Sequence, residues 1–255
     1  MQKSIFVTGA ASGIGRATAL RFAREGWFVG LYDVNEAGVA ELRREIGESK
    51  AVAGRLDVCN LDEFRARVAD FDRACGRMDV LFNNAGLLHM GKFDEIAPET
   101  ALRMMHVNMD GVVNGCYAAL PLLRRTTGAV ILNMSSASAI YGIPELACYS
   151  ASKFFVRGFT EALDLELGRE GIRVADLMPS YVATPMVTGQ TYQAGTLKTM
   201  GVKLTAEKVA EQAWRAANAR RGTHFIPQTD VKILRRVAGL LPEVARVATR
   251  KLSKL

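Results

Sequence analysis

The sequence predicts an α/β protein with one doubly wound parallel sheet of about seven strands, helices on both faces, and a basic amphipathic helical tail. Two observations support this fold. Short apolar runs alternate with segments of helical periodicity, and short links join them, as parallel strands with crossover helices require. The chain has 255 residues, 49% hydrophobic and 23% charged, which suits one large globular domain.

The strands are predicted from apolar runs bounded by turn residues, and the helices from a 3.6-residue period. The strands cover 4–7, 27–32, 51–56, 80–82, 129–134, 172–178 and 224–226. The helices cover 17–26, 36–46, 61–75, 98–125, 149–169 and 206–220. One long connection, 179–204, is irregular, and such loops are often functional lids. No internal linker is present, so we expect one domain over 1–227 and an extension over 228–255.

The extension carries most of the net charge of +7. Apolar residues recur at helical spacing beside a basic stripe of Arg246, Arg250 and Lys254. A basic amphipathic helix over 229–255 can lie on an anionic membrane surface. Alternatively, its apolar face docks on its own subunit or a neighbouring one. Nucleic-acid binding is not expected, because no aromatic residue is interleaved with the charges. The apolar positions are Val231, Leu234, Val237 and Leu241, then Val244, Val247, Ala248, Leu252 and Leu255.

Several other classes of protein are disfavoured. The four cysteines (Cys59, Cys75, Cys116 and Cys148) lack C-x-x-C spacing, so buried reduced thiols are expected rather than disulfides or metal ligands. The three histidines lie far apart, and no metal site is expected. No signal peptide precedes the first strand, and no apolar stretch approaches the ~20 residues of a membrane span. We therefore expect a cytoplasmic protein, with peripheral membrane contact as one interpretation of the tail.

A glycine-rich loop joins the first strand to the first helix. Gly9, Gly13 and Gly15 surround Ser12 and Ile14, at a spacing that differs from G-x-G-x-x-G. Glycines there still let the backbone approach a pyrophosphate at a helix N-terminus, as in Rossmann-type dinucleotide folds, although an ordinary tight turn is the alternative.

Asp33 closes the second strand, 18 residues beyond Gly15. An acid there can accept hydrogen bonds from the adenosine ribose hydroxyls of NAD and would repel the 2′-phosphate of NADP. The neighbouring Ser12 and Val34 are not basic. The sequence therefore favours NAD as the cofactor over NADP.

Tyr149 and Lys153 are four residues apart in a predicted helix and so share one face. A cation beside a tyrosine lowers the phenol's pKa from its usual value near ~10. The pair is therefore a candidate acid/base, although Tyr-x-x-x-Lys also occurs by chance on surface helices.

Over roughly residues 3–227 the chain resembles the classical short-chain dehydrogenase/reductase family. The joint pattern of motifs carries this resemblance. The matching segments are Thr8 to Gly15, Asp57-Val58, Asn83-Asn84-Ala85-Gly86, Asn108, Ser136 thirteen residues before Tyr149, Tyr149 to Lys153, and Pro179, Val182 and Thr184 after the sixth strand.

The resemblance implies hydride transfer between a nicotinamide and an alcohol or carbonyl. It makes Tyr149 the acid/base, Lys153 the group that lowers its pKa and holds the nicotinamide ribose, and Ser136 the donor to the substrate oxygen. Asn108 would hold a water that links Lys153 to solvent. The implied cofactor contacts are Gly9, Ser12, Gly13, Ile14, Gly15, Asp33, Asp57, Val58, Asn84, Ala85, Gly86, Tyr149, Lys153, Pro179, Val182 and Thr184. Ser135 and Ser138 compete for the serine role, but the spacing favours Ser136.

One position departs from the family pattern, where Ser180 stands in place of the glycine after Pro179. Serine adopts positive φ less readily than glycine, so the local turn beside the nicotinamide is expected to differ. The chemistry is expected to be unchanged.

The predicted substrate is a hydrophobic secondary alcohol or ketone, contacted by Ser136, Tyr149 and Met186. Residues flanking the site are mostly apolar or aromatic: Leu88, Met90, Ile140, Tyr141, Ile143, Tyr181, Met186, Val187 and Tyr192. Two alternatives stay open, a 3-oxoacyl-thioester reductase that uses NADPH and a non-catalytic dinucleotide-sensing protein. The helices 98–125 and 149–169 are apolar around much of their circumference, which favours a homodimer or homotetramer.

Overall fold

The computed structural model describes residues 2–253, apart from the side chain of Pro242. The strands are β1 (Ser4–Thr8), β2 (Phe28–Asp33), β3 (Ala51–Arg55), β4 (Val80–Asn83), β5 (Val130–Met134), β6 (Arg173–Leu177), β7 (Val182–Ala183), β8 (Leu204–Thr205) and β9 (His224–Phe225). The helices are α1 (Gly13–Arg24), α2 (Glu36–Ile46), α3 (Leu61–Cys75), α4 (Pro98–Arg124), α5 (Ala147–Gly168), α6 (Pro185–Thr188), α7 (Gly195–Met200), α8 (Ala206–Asn218), α9 (Thr229–Leu240) and α10 (Pro242–Leu252).

Seven of the strands form one parallel sheet in the order β3-β2-β1-β4-β5-β6-β9. The predicted fold class is thereby confirmed. In this strand order, β2 and β3 lie on one side of β1, and β4 lies on the other. The connections after β1 and β4 therefore leave in opposite directions and open a crevice at the carboxyl edge, which is where such sheets bind ligands.

Both faces of the sheet are covered, and the core is aromatic near β1 and β2. Helices α1, α2 and α8 cover one face, and α3, α4 and α5 cover the other. On the second face, Phe6 stacks on Tyr32 with ring centroids 4.2 Å apart and meets Phe71 edge-on. On the first face, Phe22 meets Trp214 edge-on. This two-sided burial explains why the strands are continuous apolar runs.

The predicted irregular connection over 179–204 is partly ordered. It contains β7, α6 and α7, and β7 pairs with β8 in a separate two-stranded sheet. Because these elements have only two to six residues each, they leave too short a periodic pattern to be recognised from sequence.

The C-terminal tail forms two helices, in agreement with the predicted helical tail. Of the apolar positions predicted to share a helical face, Leu241, Val244 and Val247 are exposed. The residues of α10 that are buried are Ala245 and Thr249, which have small side chains. Helix α10 packs against α9 and α7. Lys254 of the predicted basic stripe and the apolar Leu255 lie outside the described residues.

The four cysteines are free, but of the four only Cys116 is buried, as was expected for all; Cys75 and Cys148 are partly exposed and Cys59 is exposed. It lies in the turn before α3, where the apolar residue beside it, Val58, takes the inward position. Across residues 2–253 no helix is long and apolar enough to cross a bilayer. The same residues contain no cluster of three or more histidine, cysteine or carboxylate side chains suited to a metal ion.

Candidate active site

A cleft of about 830 Å³ runs along the carboxyl edge of the sheet. It brings together most of the residues that the motifs single out. Lining it are Gly9, Ser12, Gly13, Ile14, Asp33, Asp57, Val58, Asn84, Ala85, Gly86, Ser136, Tyr149, Lys153, Pro179, Val182, Thr184 and Met186. Gly15 and Asn108 do not line the cleft, but they contact residues that do.

The glycine loop is shaped so that side chains are excluded. Gly9 and Gly13 have φ angles of 66° and 52°, in the left-handed region that favours glycine. A Cβ on Gly15 would lie 2.1 Å from the carbonyl oxygen of Gly9, so the first turn of α1 can press against the loop only without one. This open backbone cradle at a helix N-terminus fits the pyrophosphate of a dinucleotide.

Two side chains tie the glycine loop to the end of β4. The Thr8 hydroxyl accepts hydrogen bonds from the backbone N–H groups of Asn84 and Ala85, both at 3.0 Å. The Asn84 amide in turn donates to the carbonyl oxygens of Thr8 and Gly9, at 2.9 and 3.2 Å. The two walls of the crevice are therefore held together, and the Asn84 side chain fixes the shape of the glycine loop.

The Asp33 carboxylate is held at the cleft by backbone donors. One oxygen accepts from the Ala11 N–H and the other from the Asn35 N–H, each at 3.0 Å. A carboxylate can accept about four hydrogen bonds, so capacity remains for ribose hydroxyls. The adjacent Val34 is 61% exposed and brings no positive charge to the position.

Tyr149 and Lys153 lie on one face of α5, as predicted, but the expected effect on the phenol is wrong. Burial raises the pKa of Tyr149 to about 12, and interaction with the Ser136 hydroxyl opposes that rise only in part. The Lys153 ammonium lies over the ring, 5.6 Å from its centroid, and donates to the Met134 carbonyl at 2.8 Å. Burial lowers the pKa of Lys153 to about 8. Desolvation is therefore the main cause of both pKa shifts.

Asn108 is engaged with protein groups on both sides of its amide. Its oxygen accepts from the Leu87 N–H at 2.8 Å, and its nitrogen donates to the Leu87 carbonyl at 3.1 Å. The same nitrogen donates to the Ser152 hydroxyl at 3.1 Å. A Cβ on Gly86 would lie 2.9 Å from the Asn108 oxygen, so this glycine allows the approach. Asn108 thus anchors the segment after β4 to α5.

Three serines near the cleft have different surroundings. Ser136 lines the cleft, and its oxygen accepts from the Ser138 N–H at 3.2 Å. Ser135 is buried and donates to the Lys153 carbonyl at 3.3 Å, which fixes α5 to β5. Ser152 was missed as a positioning residue, although its place in the Tyr149–Lys153 motif was a usable signal; it donates to the Tyr149 carbonyl at 2.7 Å.

An apolar cluster forms the end of the cleft beyond Tyr149. Most of the predicted substrate-flanking residues gather there, but Ile140 packs elsewhere, against the core beside β6. Tyr181 bonds the Thr196 hydroxyl at 2.6 Å and so joins the cleft wall to α7. The cluster comprises Leu88, Met90, Ile143, Leu146, Ala194 and Leu197, with Tyr141, Tyr149, Tyr181, Val187 and Tyr192 packed against it.

The segment 185–200 covers this cluster, and two polar side chains fasten it. The Gln190 amide accepts from the Met90 N–H at 3.2 Å and donates to the carbonyls of Leu88 and Met186 at 2.8 and 2.9 Å. The Glu145 carboxylate accepts from the Gly195 N–H at 2.6 Å and from the Tyr192 hydroxyl. Gln190 joins residues about 100 positions apart, so nothing local in the sequence indicates its role.

The departure at Ser180 has little effect on the backbone. Glu145 is the one non-glycine residue with positive φ among those that the structure describes, so Ser180 needs no such conformation. Its N–H donates to the Gln228 side chain at 3.1 Å, just before α9 begins. A side chain from the tail thus holds the turn after β6.

Comparison with known proteins gives the family. A family model described as short chain dehydrogenase matches residues 3–195. This chain belongs to the short-chain dehydrogenase family. It is 36% identical over 193 residues to the "Probable oxidoreductase EphD" of Mycobacterium tuberculosis, covering 74% of this chain but only 33% of that relative's length. It is also 36% identical over 188 residues to a cyclopentanol dehydrogenase of Comamonas testosteroni, covering 72% and 74% of the two chains.

Solved structures agree with this assignment. A short-chain dehydrogenase/reductase from Burkholderia phymatum in complex with NAD superposes with a TM-score of 0.85 at 26% identity, covering 95% of each chain. A 3-ketoacyl-(acyl-carrier-protein) reductase from Brucella melitensis with NADH gives 0.80 at 32% identity, covering 88% of this chain and 96% of that one. Members of this short-chain dehydrogenase family are oxidoreductases, and a nicotinamide dinucleotide is the cofactor class that the neighbours support.

The Thr8 hydroxyl offers a direct test of how the crevice is held. Thr8→Val removes the acceptor and leaves two N–H groups without their partner, so the free energy of unfolding should fall by about 1–3 kcal/mol. Thr8→Ser keeps the oxygen and should cost less than about 1 kcal/mol. Urea unfolding measures both, and equal losses in the two variants would contradict the role assigned to the hydroxyl.

Proposed function

We propose that this protein is an NAD-dependent dehydrogenase/reductase that transfers hydride between NAD(H) and the carbinol or carbonyl carbon of a hydrophobic secondary alcohol or ketone. The observation that carries the proposal is the arrangement of the cleft. Asp33 and the glycine cradle lie towards one end, and Tyr149, Ser136 and an apolar cluster lie together at the other. We assign 1–227 to the dinucleotide-binding and catalytic domain and 228–255 to an extension.

The cofactor would be held by the glycine loop at its pyrophosphate, by Asp33 at the adenosine ribose, and by Asp57 and Val58 beside the adenine. The segment of Asn84, Ala85 and Gly86 and the turn carrying Pro179, Val182 and Thr184 would flank its nicotinamide end. When bound, the nicotinamide supplies or accepts the hydride. The remaining chemistry is handled by side chains of this chain.

Tyr149 exchanges the proton of the reacting oxygen. Because its pKa is about 12, it is a neutral phenol at pH 7 and is ready to donate to a carbonyl oxygen. Ser136 would donate a second hydrogen bond to that oxygen and orient it. Positioned acid/base catalysis of this kind contributes roughly 10²–10⁴-fold. In the reverse direction, Tyr149 must first lose its proton, so alcohol oxidation is favoured by alkaline pH.

Lys153 supplies the positive charge beside the reacting oxygen. Its pKa of about 8 lies above neutral pH, so the ammonium form predominates at pH 7 and is lost as the pH rises through 8. Together with the ribose hydroxyls, it would steady the phenolate that forms when Tyr149 gives up its proton. We retain the proposal that a water beside Asn108 links Lys153 to solvent.

The substrate class is inferred from the walls of the inner cleft. Leu88, Ile143 and Val187 line it together with Tyr181 and Met186, and few charged groups are near. Such walls favour an apolar alcohol or ketone. The likeness to a cyclopentanol dehydrogenase supports this class.

A second candidate is a 3-oxoacyl-thioester reductase that uses NADPH, since the chain also resembles a 3-ketoacyl reductase. Asp33 argues against the 2′-phosphate of NADPH, because two like charges would be brought together. A non-catalytic dinucleotide sensor is a weaker candidate, because Asn108, Ser136, Tyr149 and Lys153 are all present and clustered.

The four free thiols suit a reducing compartment such as the cytoplasm. We further propose a homodimer or homotetramer formed through α4 and α5. Large apolar residues are exposed on the outer sides of these two neighbouring helices, namely Tyr117, Phe154, Phe155 and Leu165. Contiguous exposed apolar surface of this kind marks an interface.

Turnover tests the catalytic assignment. Tyr149→Phe should lower kcat for a cyclic secondary alcohol by at least about 100-fold, while NADH still binds, because only the proton exchange is lost. Ser136→Ala should lower kcat substantially, whereas Ser135→Ala, which changes a buried structural hydroxyl, should keep most of the activity. Near wild-type turnover by Tyr149→Phe would refute the assignment.

Cofactor preference tests the role of Asp33. Wild type should favour NAD over NADP in kcat/KM, and Asp33→Ser should weaken NAD binding by about 10–100-fold through loss of charge-assisted hydrogen bonds. Glu36→Ser, at an exposed neighbouring acid, is the control and should change little. A wild-type preference for NADPH would support the thioester reductase instead.

The assembly can be measured by light scattering after size-exclusion chromatography. Wild type should have at least twice the mass of one chain, and Phe154→Glu/Leu165→Glu should lower it, because charges would replace apolar contacts. Phe93→Glu changes an apolar residue that is 73% exposed away from these helices and should leave the mass unchanged. A wild-type mass of one chain would contradict the proposal.

A further inference from the structure

We propose that α9 and α10, here called the C-terminal hairpin (residues 229–253), dock this protein on an anionic lipid bilayer. The hairpin is held on its own subunit by one face only. On α9, Val231 is buried and joins a cluster with Met178 and Ile226. On α10, the buried residues are Ala245 and Thr249. The large apolar side chains on the opposite face of the hairpin are exposed and remain to be explained.

The outward face carries five large apolar residues around and beside the turn between the helices. Leu240 is 81% exposed, and the others are each more than half exposed. Leu240 and Leu241 stand at the turn itself, where the chain changes direction. Exposed apolar residues grouped along one pair of helices mark an interaction site rather than scattered exposure. The five residues are Ile233, Leu240, Leu241, Val244 and Val247.

Basic residues flank this apolar tip. Residues 229–253 contain six basic side chains and two acidic ones, Asp230 and Glu243. On α9, Lys232 and Arg236 are exposed on the same side as Ile233 and Leu240, at three- to four-residue spacing. The exposed basic residues on α10 are Arg246, Arg250 and Lys251. An apolar face with a basic border is the pattern of helices that lie in a membrane interface.

Charge decides between the partners that could cover this face. A second copy of the hairpin would bring like charges together, which is unfavourable. A nucleic acid would satisfy the charges but leave the exposed leucines and valines without a partner, and none of the five is an aromatic that could stack on bases. Anionic headgroups with acyl chains beneath them satisfy both the charges and the apolar residues.

The hairpin also rests on the cover of the substrate cleft. A Cβ on Gly195, the first residue of α7, would lie 2.4 Å from the Ser253 carbonyl oxygen, so the end of α10 presses directly on α7. Gly195 is bound by Glu145, and its neighbour Thr196 by Tyr181 in the cleft wall. Docking would therefore place the apolar end of the cleft near the bilayer, a consequence that rests on the proposed function and on an apolar substrate.

Vesicle co-sedimentation of the full chain tests the docking. Wild type should bind vesicles of phosphatidylglycerol and phosphatidylcholine, bind vesicles of phosphatidylcholine alone far more weakly, and lose affinity as salt is raised. Leu240→Asp should abolish most of the binding, because a charge replaces the most exposed apolar residue. Phe93→Asp, which puts an acid at an exposed apolar residue elsewhere, should leave binding unchanged.

The basic border is tested separately. Lys232→Gln/Arg236→Gln should weaken binding to the anionic vesicles about 20-fold or more, since each basic residue near such a surface contributes about fivefold. Lys50→Gln/Lys208→Gln makes the same change in net charge at two exposed sites elsewhere and should have little effect. This pair separates a local basic border from overall charge.

Three results would overturn the proposal. One is no binding of wild type to anionic vesicles at low salt. Another is equal binding by wild type and Leu240→Asp. The third is that Leu240→Asp mainly changes the oligomeric mass or the binding of a DNA duplex, rather than the binding of vesicles. Turnover of a water-soluble alcohol without vesicles does not depend on docking, so failure of this proposal and failure of the proposed enzyme activity are distinguishable.

Discussion

The structure depends on the hydrogen bonds that join the end of β1 to the end of β4. The connections after these strands leave in opposite directions, because the chain switches from one side of β1 to the other. The Thr8 hydroxyl and the Asn84 amide join the two sides with four hydrogen bonds, and all four are to backbone groups. These bonds fix the two walls of the crevice. They also hold the glycine loop in a conformation with positive φ at Gly9 and Gly13, which favours glycine.

Further hydrogen bonds connect these strand ends to the residues that are proposed to react. The segment after β4 continues to Leu87, whose backbone is held on both sides by Asn108. Asn108 binds Ser152, which binds the Tyr149 carbonyl. Tyr149, the proposed acid/base, is therefore positioned by backbone, amide and hydroxyl hydrogen bonds rather than by charges. Burial is the largest cause of its raised pKa.

Much of the fold and most of the cleft could be predicted from sequence, because they follow from local patterns. The seven-stranded sheet follows from alternating apolar runs, and the glycine loop from residues that must lack a Cβ. The pKa of Tyr149 could not be predicted in this way, because the depth of burial depends on how α5 meets β5. Nor could the inward face of α10, where Ala245 and Thr249 are buried while the larger Val244 and Val247 are exposed. The role of Gln190 could not be predicted either, because two of its three partners, Met90 and Leu88, are about 100 residues away.

The fastening of segment 185–200 has a consequence for the rate of the catalytic cycle. Gln190 fastens this segment to Leu88 and Met90 with two neutral hydrogen bonds, each worth a net ~0.5–1.5 kcal/mol. On the proposed function, a product leaving the apolar cluster would pass this segment after these bonds are exchanged for bonds to water. Such openings take microseconds to milliseconds and often limit turnover once the chemistry is fast. The bonds made by Gln190 would then set how long a product stays beside Tyr149 before it is released.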